Sequence, residues 1–223
     1  YLPFFSHPDP TAKRQSGFLQ PTLSLSSRLG FGAQLPFYWV TSESSDVTIA
    51  PVFYSAAVPV FAGEYRQRVT NGMIQIDGSA TYSSEGKDGT NPSAAFRGHI
   101  FSTSHFDLND NWRWGVEANR VTDKNYLRVY NFASDSFLTS RIFAEGFFGR
   151  SYALAEGLSF QGLGSQYTND QDPIVVPSLN FSYVGEPGRF GSYFTLDANT
   201  MVLSRIDGRE SRRLSVEAGW TLP

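Results

Sequence analysis

The side chains best suited to catalysis or metal binding are few and scattered. The histidines are three, His7, His99 and His105, too far apart for a ligand triad, so no metal is expected. Ser104 and His105 are neighbours, but consecutive residues of an extended chain project to opposite faces, and a serine nucleophile there lacks an identifiable partner. Asn169-Asp170-Gln171-Asp172 offers oxygen ligands without the rest of an EF-hand loop, and turn chemistry accounts for it more readily. Gly30-Phe31-Gly32 precedes no helical pattern and is not a phosphate loop. With no cysteine, disulfides and thiolate sites are excluded within the chain. No cofactor is expected, and nothing points to an enzyme. What the chain does offer is charge at every second residue: Glu64, Arg66 and Arg68, then Asp77, Arg97, Arg113 and Glu117, then Arg141, Glu145, Asp197, Arg213 and Glu217.

Those spacings demand strands. From Trp112 to Asn119, Trp112, Trp114, Val116 and Ala118 alternate with Arg113, Glu117 and Asn119, the period of a pleated ribbon. The same alternation recurs at Leu29–Trp39, Ile74–Tyr82, Val175–Tyr183 and Leu214–Trp220, and less cleanly between them. With a first strand near Leu19–Ser27, about twelve strands are expected, mostly of the ~10 residues that cross a bilayer at a tilt. Short turns such as Thr70-Asn71-Gly72 and Gly149–Ser151 alternate with long polar connections such as 122–136 in the second half of the chain. That register of short turns and long loops marks outer-membrane barrels.

Composition agrees. In 223 residues, 17% are charged and 15% aromatic, against about 25% charged in ordinary soluble domains. No apolar run approaches the ~18 residues of a spanning helix. A net charge of −3 gives no bulk argument for nucleic-acid binding. Arginine or lysine on a lipid face costs roughly 2–4 kcal/mol near the midplane. The charged set should therefore line a watery lumen and the apolar set should meet lipid, with Phe37, Tyr38, Trp39, Trp112, Tyr183 and Trp220 at the rims. A soluble β-sandwich, with the apolar face as its core, is the alternative. The chain is expected to be a piece of a longer one, because an open wall exposes unpaired amides and carbonyls at several kcal/mol each in hydrocarbon.

The first seventy residues carry a more specific signal. Lys13-Arg14-Gln15-Ser16-Gly17-Phe18-Leu19-Gln20-Pro21, Leu35-Pro36-Phe37-Tyr38-Trp39, Asp46-Val47-Thr48-Ile49-Ala50-Pro51 and Gly63-Glu64-Tyr65-Arg66 follow one another. In this order they closely resemble the start of the barrel in the LPS-assembly outer-membrane protein family, LptD; looser likeness continues at Trp112-Arg113-Trp114 and Asp123-Lys124-Asn125-Tyr126. Phe37 stands where that family more usually has tyrosine. The resemblance implies an all-β, antiparallel transmembrane barrel segment, part of a larger barrel of roughly twenty-six strands. Residues 1–16 would be a lead-in segment and hinge from a periplasmic jellyroll domain, and 17–223 the partial barrel. It further implies a Gram-negative outer-membrane location, insertion of lipopolysaccharide into the outer leaflet through a lateral barrel opening, a plug lipoprotein of the LptE type, and periplasmic bridge proteins as partners.

Two prolines bear on such an opening. Pro21 falls in the first expected strand and Pro36 in the second, and proline lacks the amide a ladder needs. Either they loosen the first strands so that a seam can part, or they mark ordinary bulges, as Pro51 and Pro177 could do. Lys13 and Arg14 precede the first strand and could meet lipid phosphates, or be a solvated hinge pair. Two rivals remain: a complete twelve-stranded porin, with Arg66, Arg68 and Arg113 opposing Glu117 or Asp77 across a constriction, and an outer-membrane hydrolase, which requires serine, histidine and Asn or Asp converging on one face.

Overall fold

The structure, a computed structural model, describes residues 14–84, 94–164 and 171–222. His7, Lys13, most of the expected hinge and the Asn169-Asp170 part of the polar loop lie outside the described residues. The rest forms one fourteen-stranded antiparallel sheet. Its first four segments are short: β1 (Gly17–Phe18), β2 (Thr22–Ser26), β3 (Gly30–Gln34) and β4 (Phe37–Val40). The remainder are long: β5 (Ser45–Tyr54), β6 (Val60–Val69), β7 (Gly72–Ser83), β8 (Ala95–Asp107), β9 (Trp112–Val121), β10 (Phe137–Phe148), β11 (Ser151–Gly162), β12 (Ile174–Val184), β13 (Tyr193–Ser204) and β14 (Ser211–Thr221). A single helical turn, α1 (Tyr126–Val129), interrupts the connection between β9 and β10.

Because β1 pairs with β4 and β2 with β3, the first four segments are two broken staves. Counting each broken stave once, the wall has twelve, in chain order from β1/β2 to β14. The strands are long for the same reason the sequence alternates: a stave must be apolar on one side along its whole length, and only period two achieves that.

The register assigns the faces. Glu64 sits opposite Asp77, Thr103 opposite Glu117, Glu117 opposite Arg141, and Asp197 opposite Glu217. Directly opposed residues share a face, so all twelve charged residues anticipated for the lumen, from Glu64 to Glu217, lie on one side of the wall. The other side carries exposed Phe31, Trp39, Phe53, Phe61, Phe96, Ile142, Leu179, Phe181, Leu214 and Trp220.

Three details differ from the sequence reading. Leu29 does not belong to the outer apolar row; it precedes β3, is 3% exposed, and packs in an interior cluster with Val52, Val60 and Tyr126. Val175 is also turned inward, because the ladders on both sides of β12 slip around Pro177, between Glu156 and Leu158 and between Val175 and Ser178. One extra residue in a strand moves everything beyond it to the other face. Tyr38 is not a rim aromatic: it points to the charged side, where its hydroxyl meets Arg14 and Asp46.

A midplane charge on the outer face should block assembly. Ile142→Arg is expected to cost about 2–4 kcal/mol and to abolish the heat-modifiable gel shift of the full-length barrel. Thr103→Arg, placed between Gln75 and Glu117 on the charged face, should assemble normally.

Candidate lateral opening and charged lumen

The first two staves break at their prolines. Across the break the pairing slips by one residue, from Phe18 opposite Phe37 to Thr22 opposite Gln34. Pro21 therefore does sit at a bulge. What remains at the gap is one-way hydrogen bonding: the Leu19 N–H donates to the Pro36 carbonyl at 2.9 Å, and Pro36 has no N–H to return. One stave further in, the Leu35 N–H donates to the Pro51 carbonyl at 3.1 Å, and Pro51 cannot return that bond either. Pro51 is not a bulge. Its neighbours pair in unbroken register, Ala50 with Ala62 and Val52 with Val60 on one side, Ile49 with Phe37 and Val52 with Gln34 on the other. Its missing donor faces the first two staves. The sequence signal was available, since Pro21, Pro36 and Pro51 recur at equal spacing, but only the register shows that they fall at one level of the wall. Each lost bond removes a net ~0.5–1.5 kcal/mol, more where water cannot substitute.

Below the break, on the side of the short turns, the staves are held firmly by charge. Arg14 Nε and Nη2 donate to the Tyr38 hydroxyl at 3.0 and 2.7 Å, and Nη2 also contacts the Asp46 carboxylate. Asp46 accepts in turn from Arg66 Nε at 2.8 Å. Arg14 is thus committed to the wall as a latch on β4 and β5, rather than standing as a solvated hinge charge. Above the break, the polar inner faces of Thr22, Ser24, Ser26 and Gln34 border a cavity of about 650 Å³, closed on its far side by Arg128 and Tyr130 of the α1 connection. The outer faces of the same segments show Leu23, Leu25 and Phe31.

Among the described residues the α1 connection is the one large body packed on the charged face. Arg97, 1% exposed, is gripped by Asp123 through Nε and Nη2 at 2.7 and 2.8 Å. Its guanidinium lies over the rings of Tyr126 and Tyr130, at 5.5 and 5.7 Å. The hydroxyls of Tyr126 and Tyr130 pair with Ser79 and Ser83 at 2.7 and 2.8 Å. Arg97 therefore anchors a connection and does not line open water.

Other charges neutralise one another along the wall. Arg113 pairs with Glu145 at 2.5 Å, and Arg141 with Glu156 at 2.6 Å and Glu117 at 3.9 Å. Asp77 stands 3.7 Å from His99. Arg68 lies beside Met73, and Arg213 beside Met201. The expected opposition of Arg66, Arg68 and Arg113 to Glu117 and Asp77 does not form: these ion pairs join adjacent staves instead of facing each other across a pore. A serine, histidine and acid do converge, at Ser79, His99 and Asp77, with Ser79 Oγ 2.8 Å from His99 Nδ1. But Ser79 is 7% exposed and its hydroxyl is shared with Tyr126. The trio is a packed polar network in which the Ser79 hydroxyl is held between His99 and Tyr126. Among the described residues no group of histidines and acids could hold a metal.

A single antiparallel sheet with one apolar face, one charged face, short turns at one end and long connections at the other defines a partial β-barrel of the outer-membrane type. The chain belongs to the family LptD, LPS transport system D, whose model matches residues 95–223. It is similar to the LPS-assembly protein LptD of Methylococcus capsulatus, 24% identical over 212 residues covering 90% of this chain and 19% of that protein. It is also similar to those of Hahella chejuensis, 25% identical over 100% of this chain and 30% of that protein, and of Idiomarina loihiensis, 32% identical over 60% of this chain and 17% of that protein. The chain thus spans less than a third of the length of these relatives.

Docking of the α1 connection should depend on Tyr126 keeping its proton. Burial pushes that phenol up from 10.0 to about 12. The docked loop binds the proton more tightly than a released one, so its stability is full below pH 10 and falls as pH rises toward 12, by about 2–3 kcal/mol. A spin label at Asn131 of the assembled barrel should become mobile across that range, and Tyr126→Phe should flatten the transition. Asp123→Ala, which strands the buried Arg97, should expose the connection to protease at neutral pH through a loss of about 3 kcal/mol.

Proposed function

We propose that this chain is the first part of an outer-membrane barrel that inserts lipopolysaccharide into the outer leaflet, and that the amphiphile leaves through a seam at β1–β4. The observation that carries this reading is the proline break. Three successive staves lose donors at one level, while a charge latch holds the same staves below it. A seam built this way parts above the latch and stays shut beneath it. The polar cavity behind the break suits a saccharide, and the apolar outer faces of Leu23, Leu25 and Phe31 suit acyl chains.

Family membership and the names of the relatives support the substrate class. Completion of the barrel follows from the unpaired edges of β1/β2 and β14, which hydrocarbon does not tolerate, together with the greater length of the relatives. In this reading residues 1–16 form the hinge from a periplasmic domain that meets the bridge proteins, Lys13 lies where it can touch lipid phosphate, and a plug lipoprotein of the LptE type fills the charged lumen. The protein then resides in the outer membrane of a Gram-negative cell and works as a transporter, with no step of bond making.

Restoring donors should close the seam. Pro21→Ala with Pro36→Ala in the full-length protein is expected to cut lipopolysaccharide appearing at the cell surface several-fold while leaving barrel assembly intact; undiminished surface delivery overturns the seam. Adding Pro51→Ala should deepen the defect.

A further inference from the structure

Two strand cations break the rule that charge keeps to the inner face, Arg120 and Arg212, and Arg212, opposite Val202, is paired with Glu210 at 3.8 Å. Arg120 lies opposite Ile100, and Ile100 belongs to the exposed apolar row, so Arg120 is on the outer wall. It is the residue before the last of β9, at the end of the long connections. From there its guanidinium reaches across β10 to the hydroxyl of Ser159 on β11, and its other terminal nitrogen donates to the Asn119 carbonyl at 3.1 Å. Ser159, Ile174 and Ser204 are opposed in register, so they share that outer face. Together with Gln161 and Arg205 they border a notch of about 390 Å³.

The chemistry of the notch is anionic recognition. Arg120 and Arg205 form no ion pair with a carboxylate among the described residues; Arg205 donates only to the Arg209 carbonyl, at 3.3 Å. The hydroxyls of Ser159 and Ser204 supply further donors, while the Gln161 carboxamide is held by the Val121 backbone at 2.8 and 3.1 Å. Asp172, also at the notch, has one carboxylate oxygen bonded to the Gly162 N–H at 3.0 Å, leaving a net positive site. An arginine near the bilayer interface costs only about 0–1 kcal/mol, and that small cost becomes a gain where a lipid phosphate meets it. Guanidinium forks match phosphate oxygens in geometry as well as charge. The ends that carry the long connections face the outer leaflet, so the occupant comes from that leaflet.

We infer that Arg120 and Arg205 form an outer-wall site for the phosphate of a phosphorylated lipid headgroup, held at the outer-leaflet interface and beginning five staves beyond the proline seam at β1–β4. Its role is to seat the barrel in an anionic leaflet. It needs the outer-face orientation and does not depend on lipopolysaccharide passing through the wall.

The test uses the full-length barrel in phosphatidylcholine vesicles doped with a phosphorylated, saccharide-headed lipid carrying a spin label near the headgroup. Quenching of a fluorophore placed at Ile206 reports occupancy. Arg120→Gln with Arg205→Gln should weaken occupancy roughly thirtyfold, since each surface cation near such a lipid contributes about a fivefold factor. Arg205→Gln alone, in a connection outside every ladder, should weaken it several-fold and keeps the test valid should the double variant assemble poorly. Inorganic phosphate should compete only weakly, because it lacks the bilayer anchor. Equal quenching in native and variant barrels overturns the site, as does full displacement by free phosphate. Surface delivery of lipopolysaccharide should survive Arg205→Gln, so loss of delivery through the seam variants and loss of this site are separate results.

Discussion

A hydrocarbon surrounding offers no hydrogen bonds, so each backbone amide and carbonyl in this wall must find its partner in the neighbouring stave. Almost everything else follows from that constraint. It makes the strands long and sequential, leaves β1/β2 and β14 as the two edges of this sheet, and makes the donors missing at three prolines costly. In water a carbonyl left without its donor by Pro36 or Pro51 would be solvated at little cost. In lipid it stays unmet, and such losses line up at one level of the first three staves.

Charge on the inner face serves to pin structure as much as to wet a lumen. The Arg14–Asp46–Arg66 chain ties the first described residues to β5 and β6, directly below the level the prolines weaken. At the other end, Arg97 and Asp123 with the tyrosines of the α1 connection bind the loop to β7 and β8. The break in the first staves is fastened on one side only, below it. Ion pairs between adjacent staves neutralise the wall locally and set up little transverse field, unlike opposed charges across a pore constriction.

The interior cluster of Leu29, Val52, Val60, Tyr126 and Leu127 shows how a barrel wall of modest burial acquires a core. The strands supply only part of one, Val52 and Val60 among them, since most of their apolar side chains face outward. A connection has to fold back and bring its own aromatics. Burial of Tyr126 and Arg97 in that cluster means that the loop is part of the wall's stability.

Period two, read directly from residues such as Trp112 to Asn119, was sufficient for the strands, their number and the common face of the twelve charged residues named from Glu64 to Glu217, because side-chain alternation is a local property of extended chain. The ordered motifs around Pro21, Pro36 and Asp46 were sufficient for the family. What no local pattern holds is register between strands. The slip around Pro177 that turns Val175 inward, the alignment of Pro51 with the first two breaks, the capture of Arg14 by Asp46, the gathering of Ser79, His99 and Asp77, and the exile of Arg120 to the outer wall each depend on which residue of one stave faces which residue of the next. That choice is made by hydrogen bonds between residues distant in the chain, so tertiary structure alone decided it.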